Sequence, residues 1–158
     1  MNKTIKSFFG EYRFLSNFYP CIIWFDNLNF GTLEAAYQAA KTLDPLQQLA
    51  IRDASTPGKA KKLGQAVDIR EGWDSSPDPL KYEVMKSLLA QKFSWDKNPE
   101  LAQKLVDTGD AILIEGNYWG DTYWGMCGGR GMNNLGHLLM ELREVLANTK
   151  KVENDRTD

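Results

Sequence analysis

Residues 21–42, CIIWFDNLNFGTLEAAYQAAKT, have the clearest secondary-structure pattern in this chain. Two short apolar runs, Cys21–Phe25 and Leu28–Phe30, have the composition of β-strands. Asp26 and Asn27 between them tolerate the backbone conformation of a tight turn. The stretch therefore predicts an antiparallel hairpin.

A helix is predicted directly after the hairpin. Thr32 is a good capping residue, and the pattern that follows predicts a helix over about residues 33–42. Glu34, Gln38 and Lys41 stand at helical spacing and share one face of this helix. An acid in the first turn offsets the helix dipole, and Lys41 has an equally ordinary explanation as a solvated partner. The pattern alone favours these explanations over catalysis.

The rest of the chain is predicted to be mainly helical. Four helix starts are marked by a capping residue followed by proline, which suits the first helical position. These pairs are Asp44-Pro45, Thr56-Pro57, Asp78-Pro79 and Asn98-Pro99. A long apolar stripe predicts a last helix from Leu135 to about Asn148. Short apolar runs predict further strands at Thr4–Phe9 and Ala111–Glu115.

These elements predict an α+β fold, mainly helical with a small, largely antiparallel sheet and without the signature of a parallel one. The 158 residues suit a single domain, which we place at residues 1–149. Residues 150–158 form a charged tail that is expected to be disordered. No internal repeat or linker divides the chain.

Composition and charge argue against several classes of function. The chain has 19 Lys and Arg against 21 Asp and Glu, so its net charge of −2 lacks the basic excess of a protein that coats nucleic acid. No apolar run approaches the roughly 20 residues of a membrane-spanning helix. Cys21 and Cys127 match no metal-ligand spacing, and a single histidine is present, so a zinc site is not expected. These features predict reduced thiols and a cytoplasmic location.

Residues 115–136, EGNYWGDTYWGMCGGRGMNNLG, are too rich in glycine for a regular element and too aromatic for a flexible linker, so they predict an ordered loop. The end of this loop, residues 128–131, leads through Asn133 into the last helix. Free backbone amides, the helix dipole and Arg130 would together bind a phosphate or another anion. The alternative is a loop whose glycines only permit tight turns and whose asparagine caps the helix. The pattern leaves both open.

Aromatic residues of this loop are suited either to stack a planar base or to close a core. They are Tyr118, Trp119, Tyr123 and Trp124. Outside the loop, Trp24 and Trp95 are expected in the core. The basic stretch TPGKAKKLG at residues 56–64 has the wrong spacing for a phosphate-binding loop and lacks a Ser or Thr after Gly-Lys. We therefore expect it to form a solvated helix face.

Four blocks of sequence stand in a fixed order along the chain. They are FLSNFYP at residues 14–20, TLEAAYQAAK at 32–41, GDTYWG at 120–125 and GRGMNNLGHLLMELR at 129–143. Together they resemble the YbiA-like family, also called the NADAR family, from about Phe8 to Leu146. The resemblance implies a metal-independent N-glycosidase without a cofactor. Some members hydrolyse the ribosyl C–N bond of early phosphorylated riboflavin intermediates, and others remove ADP-ribose from guanine in DNA.

The resemblance also implies a set of site residues. Glu34, Asp121 and Lys41 stand at the positions of the candidate catalytic groups. The implied substrate-binding residues are Ser16, Asn17, Phe18, Trp73, Tyr123, Trp124, Gly129, Arg130, Gly131 and Asn133. With the resemblance, the anion site at Arg130 becomes favoured over a simple turn.

Cleavage of a ribosyl C–N bond passes through an oxocarbenium-like state. A carboxylate near the anomeric carbon stabilises that charge or activates the attacking water. Glu34 and Asp121 are the candidates, and which of them acts as acid or base stays open. Lys41 offers a different route, in which its amine attacks the anomeric carbon and forms a Schiff base.

Three functions are compatible with these observations. The first is an N-glycosidase for a phosphorylated riboside, with an early riboflavin-biosynthesis intermediate as the leading substrate. The second acts instead on ADP-ribose attached to guanine in nucleic acid, which the net charge of −2 mildly disfavours. The third is a non-catalytic module that binds ADP-ribose or an NAD-like nucleotide. The expected partner is a small molecule, with nucleic acid only as a modified substrate and no membrane.

Overall fold

The structure, a computed structural model, describes residues 2–157 and contains more helix than strand. In chain order, the elements are β1 (Thr4–Ile5), a 3-10 helix (Gly10–Leu15), β2 (Pro20–Phe25), β3 (Leu28–Thr32), α1 (Leu33–Ala40), α2 (Pro45–Arg52), α3 (Pro57–Gly64), α4 (Leu80–Lys92), α5 (Pro99–Val106), β4 (Ile112–Leu113), β5 (Gly116–Asn117), β6 (Met126–Cys127) and α6 (Asn134–Asp155). The predicted α+β class with mainly helical content is confirmed. Among the described residues, no helix combines the length and the hydropathy that crossing a bilayer requires.

The chain forms two compact units. The hairpin unit extends from Asn17 to Lys92 and contains β2, β3 and α1–α4. The loop unit consists of the segments up to Ser16 and from Phe93 onward, with the remaining elements. The boundary between residues 149 and 150 stays a prediction. The outermost positions of the predicted domain and tail, 1 and 158, lie outside the described residues.

The predicted hairpin is present in the hairpin unit. β2 and β3 pair antiparallel, with Ile23 opposite Phe30. Asp26 and Asn27 have positive φ angles of 46° and 62°, which give the turn a twist that fits the two strands. Successive side chains of a strand point to opposite faces. Ile23 is fully buried and Trp24 is 53% exposed, so the prediction that Trp24 is a core residue is wrong.

α1 is the most enclosed helix of the hairpin unit. Thr32 caps it as predicted, because the threonine Oγ1 accepts a hydrogen bond from the Ala35 N–H at 3.1 Å. The helix ends at Ala40, slightly before its predicted end. All its residues are buried, since β2, β3, α2, α3 and α4 pack against it. Its polar side chains are therefore enclosed by protein.

Capping residues before proline start the neighbouring helices as predicted. Asp44 accepts from the Leu46 N–H at 2.9 Å, and Thr56 accepts from the Lys59 N–H at 3.1 Å. In the loop unit, Asn98 precedes α5 without a side-chain capping bond. Local sequence is sufficient to set these helix starts, because the cap and the proline act within one turn.

The loop unit contains two parallel strand pairs, whereas the sequence predicts a largely antiparallel sheet without a parallel signature. β1 pairs with β4, and β5 pairs with β6. Each of these strands has two residues, so their apolar pattern is too short to indicate direction. The predicted strands were also too long. Of Thr4–Phe9 only Thr4–Ile5 is a strand, and of Ala111–Glu115 only Ile112–Leu113.

α6 continues to Asp155, past its predicted end at Asn148, so most of the tail that was expected to be disordered is helical. Lys150 supports this extension. Its ammonium donates to the Gln103 side chain and lies 5.0 Å from the centre of the Trp95 ring. Trp95 itself is partly buried rather than fully enclosed.

Candidate active site

α1 places a carboxylate and an amide side by side inside the hairpin unit. Glu34 and Gln38 are one helical turn apart, and they are 7% and 3% exposed. The Gln38 Nε2 donates to Glu34 Oε1 at 2.7 Å. Carboxylates are seldom buried unless they are paired or functional. Glu34 is therefore not a surface acid that only offsets the helix dipole.

Lys41 lies at the end of α1 and is partly buried. Its Nζ is 3.5 Å from the Gly64 carbonyl oxygen and 5.9 Å from the centre of the Tyr37 ring. Burial lowers the pKa of the Lys41 amine, although attraction by Glu34 and Asp74 raises that pKa in part. A lowered pKa increases the neutral fraction of the amine, which is its nucleophilic form.

Two acceptors in the hairpin unit are buried without a hydrogen-bond partner among the described residues. They are Gln38 Oε1 and Asn17 Oδ1. The Gln38 oxygen occupies the space beside Gly64, where an added Cβ would lie 1.9 Å from it. An unsatisfied buried acceptor costs about 1–3 kcal/mol. Each oxygen is therefore an unsatisfied acceptor in the interior of the hairpin unit.

The structure brings one residue of the predicted Ser-Asn-Phe turn to Glu34. The Asn17 carbonyl accepts from the Glu34 N–H at 3.0 Å, and Asn17 Nδ2 donates to Met85 Sδ at 3.6 Å. Phe18 is 42% exposed. Ser16 belongs to the loop unit and ends the 3-10 helix there. The boundary between the two units therefore falls within this turn, between Ser16 and Asn17.

Trp73 packs against α1. Its ring centre lies 5.3 Å from that of Tyr37, with the two planes tilted by 49°. Trp73 is 3% exposed, so most of its surface is covered by protein in this structure. Trp73 therefore contacts the Tyr37 ring, and the Lys41 amine lies near that same ring. The role of Trp73 in stacking a base stays a prediction.

Asp121 organises the glycine-rich loop of the loop unit. Its Oδ1 accepts from the N–H groups of Tyr123 and Trp124 at 3.1 and 2.9 Å. Asn117 supports the same turn, because its Nδ2 donates to the Asp121 carbonyl at 2.8 Å and to Glu115 Oε2 at 2.9 Å. The predicted ordered loop is confirmed. One oxygen of the candidate catalytic carboxylate therefore has a structural role.

The loop displays aromatic side chains. Tyr123 and Trp124 meet edge to face with ring centres 4.8 Å apart, and both are partly exposed. Tyr118 and Trp119 at the tip are 85% and 46% exposed and contact each other in the same manner. Tyr118 and Trp119 are thus surface rings, whereas Tyr123 and Trp124 are half-buried, and stacking of a planar ligand stays a prediction for these two.

The expectation of free amides is wrong for residues 133–135 at the start of the last helix. The N–H groups of Asn133, Asn134 and Leu135 donate to carbonyls of Gly125, Tyr123 and Trp124, respectively, at 3.2, 3.3 and 3.0 Å. The loop lies across the helix start and uses the donors that an anion would need.

Asn133 does not cap the helix either. It has a left-handed φ of 51° and makes no side-chain capping bond. Instead its Oδ1 accepts from the Glu115 N–H at 3.0 Å, and its Nδ2 donates to the Leu113 carbonyl at 2.9 Å. Gly129 and Gly131 have positive φ angles of 76° and 145°, so both have a turn-forming role. The Arg130 side chain is exposed, and its role stays a prediction.

Replacing Asp121 separates its structural from its chemical role. Asp121→Ala removes the acceptor of two N–H bonds, so we expect the free energy of unfolding to fall by about 1–3 kcal/mol. Asp121→Asn keeps an oxygen there, and we expect a loss of less than about 1 kcal/mol. Urea denaturation followed by fluorescence measures both. Equal losses in the two variants would contradict the role of Oδ1, and an inactive but stable Asp121→Asn would indicate a chemical role as well.

Three residues of these clusters were absent from the predicted site. Gln38 could have been predicted from the sequence, because it shares a helix face with Glu34. Glu115 and Asn117 could not, because only their position in the loop connects them with Asp121. Across residues 2–157, no group of three or more His, Cys, Asp or Glu side chains is arranged to hold a metal ion.

Comparison with known proteins shows similarity over nearly the whole chain. The model of the NADAR domain matches residues 6–147. N-glycosidase YbiA of Escherichia coli (strain K12) is 38% identical over 153 residues, which are 93% of this chain and 91% of that protein. N-glycosidase Npun_R5314 of Nostoc punctiforme is 33% identical over 144 residues, 87% of each chain.

Similarity extends to a longer protein and to a solved structure. Riboflavin biosynthesis protein VVA0006 of Vibrio vulnificus is 35% identical over 139 residues, which are 86% of this chain and 36% of that protein. The NMR structure of the E. coli protein YbiA superposes with a TM-score of 0.79 at 38% identity, covering 95% of this chain and 89% of that one.

Proposed function

This chain belongs to the NADAR family, and from that premise we propose that it is a hydrolase of N-glycosidic bonds. The observation that carries the proposal is the buried Glu34 carboxylate, which accepts from Gln38 and acts electrostatically on an amine whose pKa burial lowers. Similar proteins named N-glycosidases support the same activity.

The substrate we propose is a phosphorylated riboside, with early riboflavin-biosynthesis intermediates as the leading class. A similar protein of Vibrio vulnificus is named a riboflavin biosynthesis protein, which supports this choice. The second candidate is ADP-ribose on guanine in nucleic acid, and it is disfavoured because the chain has a net charge of −2. We place the reaction in the cytoplasm, as the sequence predicts.

Glu34 is proposed to act at the anomeric carbon. Its carboxylate stabilises the developing positive charge or takes a proton from the attacking water. The water oxygen then forms a bond to C1′, the C1′–N bond breaks, and the base leaves with the electron pair and takes up a proton. The bond from Gln38 Nε2 holds one oxygen of the Glu34 carboxylate in a fixed position. This chemistry needs no metal ion, because the carboxylate supplies the charge.

Lys41 supports a second route to the same products. Its neutral amine attacks C1′, the bond from C1′ to the base breaks, and the sugar ring opens to give an imine. Water then adds to the imine carbon, which releases the sugar aldehyde and restores the amine. The partial burial of Lys41 favours this route, since it increases the neutral fraction.

The candidates for substrate binding lie in different parts of the chain. In the hairpin unit, the candidates are Asn17, whose buried Oδ1 has no hydrogen-bond partner among residues 2–157, the 42% exposed Phe18 and the almost fully buried Trp73. In the loop unit, the candidates are the partly exposed rings of Tyr123 and Trp124 and the turn of Gly129, Arg130 and Gly131. The family resemblance adds Ser16 and Asn133.

A product-release assay tests this function. The purified chain is incubated with 5-amino-6-ribosylaminouracil 5′-phosphate and, separately, with DNA that carries ADP-ribosylated guanine. Mass spectrometry then follows the products, with Glu34→Gln as the control for contaminating activity. Free ribose 5-phosphate supports the riboside, and free ADP-ribose supports the nucleic acid. Binding of nucleotide without any release would overturn the enzyme proposal in favour of a binding module.

A further inference from the structure

Partly buried lysines from different helices come together near the end of α1. Lys41 Nζ contacts the carbonyl of Gly64, the last residue of α3. Lys61 precedes Gly64 by one helical turn and is partly buried, whereas Lys59 and Lys62 of the same helix are exposed. α3 is thus not a uniformly solvated basic face, because Lys61 is less exposed than the other two lysines of the helix.

Lys81 approaches the same place from the first turn of α4. Its side chain is 20% exposed, and its Nζ lies 2.6 Å from Asp74 Oδ1. The Lys81 N–H donates to the Trp73 carbonyl at 3.2 Å. The Trp73 ring contacts Tyr37, whose ring faces the Lys41 amine at 5.9 Å. A continuous series of contacts therefore connects Lys81 with Lys41.

The charges of these lysines act on one another. Burial is the main cause of the lowered pKa of Lys41; attraction by Glu34 and Asp74 raises that pKa, and repulsion by Lys61 and Lys81 lowers it further. Lysine is seldom buried unless it is paired, and like charges in a partly buried place repel. The Asp74 side chain is 60% exposed. Three lysines and two carboxylates thus act on this place, and the excess of positive charge suits an anionic ligand.

We infer that the ammonium groups of Lys61 and Lys81 bind a phosphate group of the substrate beside Lys41. The inference rests on the proposed function for the identity of the substrate. It assigns the phosphate to the hairpin unit, since the helix-start amides of the loop unit already donate to carbonyls. The 5′-phosphate of a riboside and the pyrophosphate of ADP-ribose have the same chemistry here. A phosphate held at this cluster places the attached sugar next to Lys41 and Glu34.

Calorimetric titration of the full chain with ribose 5-phosphate, ribose and ADP-ribose tests the site without depending on turnover. We expect Lys61→Gln to weaken the binding of ribose 5-phosphate about tenfold and that of ribose less than about twofold, because one charged contact is lost. Lys61→Arg is expected to retain most of the affinity. Lys62→Gln is the matched control, since it makes the same change at the exposed neighbouring position, and it is expected to bind like the wild type.

The assay for base release adds a second readout. Lys61→Gln and Lys81→Gln should raise KM for the phosphorylated riboside and leave KM for its dephosphorylated form unchanged, with thermal melting to check that each variant folds. Equal effects of Lys61→Gln and Lys62→Gln, or equal effects on the two forms, would overturn the inference. If no substrate is turned over but ribose 5-phosphate binding depends on Lys61, the proposed function fails and the phosphate site stands. Tighter binding of ADP-ribose than of ribose 5-phosphate would identify a pyrophosphate as the ligand.

Discussion

Glu34→Gln is expected to lower kcat by about 10²–10⁴-fold while the protein stays folded. Glutamine keeps an oxygen that accepts from Gln38 Nε2 and nearly the same volume, so the packing of α1 is preserved. It removes the negative charge that stabilises an oxocarbenium-like state or activates water. Steady-state kinetics of base release and thermal unfolding measure the two properties separately.

Glu83→Gln is the matched control for that variant, because Glu83 is exposed on α4 and the chemical change is identical. We expect its kcat to stay within about twofold of the wild type, as for most surface substitutions. Glu34→Gln with kcat within tenfold of the wild type and an unchanged melting temperature would remove Glu34 from the mechanism.

Lys41→Met is expected to abolish a covalent adduct that borohydride traps in the wild type. In the Schiff-base route, reduction of the imine leaves the sugar on the Lys41 nitrogen, which intact mass measurement detects. Turnover should fall by about a hundredfold or more. Burial lowers the pKa of Lys41 from the ordinary 10.5. The rate should therefore rise with pH as the amine loses its proton and level off below pH 10.5.

Peptide mapping must identify the modified lysine, because Lys92 also has a lowered pKa. Burial brings the pKa of Lys92 to about 7. Its side chain is 0% exposed, so a substrate carbon has no access to it in this fold. We expect the adduct on the peptide that contains Lys41. A wild type that turns over a good substrate without any reduced adduct would exclude this route and leave the water route through Glu34.

Most local elements of the fold could be predicted, and the errors share a cause. The hairpin at Asp26-Asn27, the Thr32 cap and the helix starts at proline depend on interactions within a few residues. The parallel pairs of two-residue strands and the length of α6 depend on partners far along the chain. A pattern within a short window carries no signal for those partners.

The α+β class, the family and the candidate residues could be predicted from the sequence, because they depend on local pattern and on the order of motifs. The burial of Glu34, the exposure of Trp24 and the use of the α6 amides by the glycine-rich loop became visible only in the folded chain. The same holds for the partial burial of Lys61 beside the exposed Lys62. The physical reason is that desolvation, hydrogen-bond partners and neighbouring charges come from residues that only folding brings together.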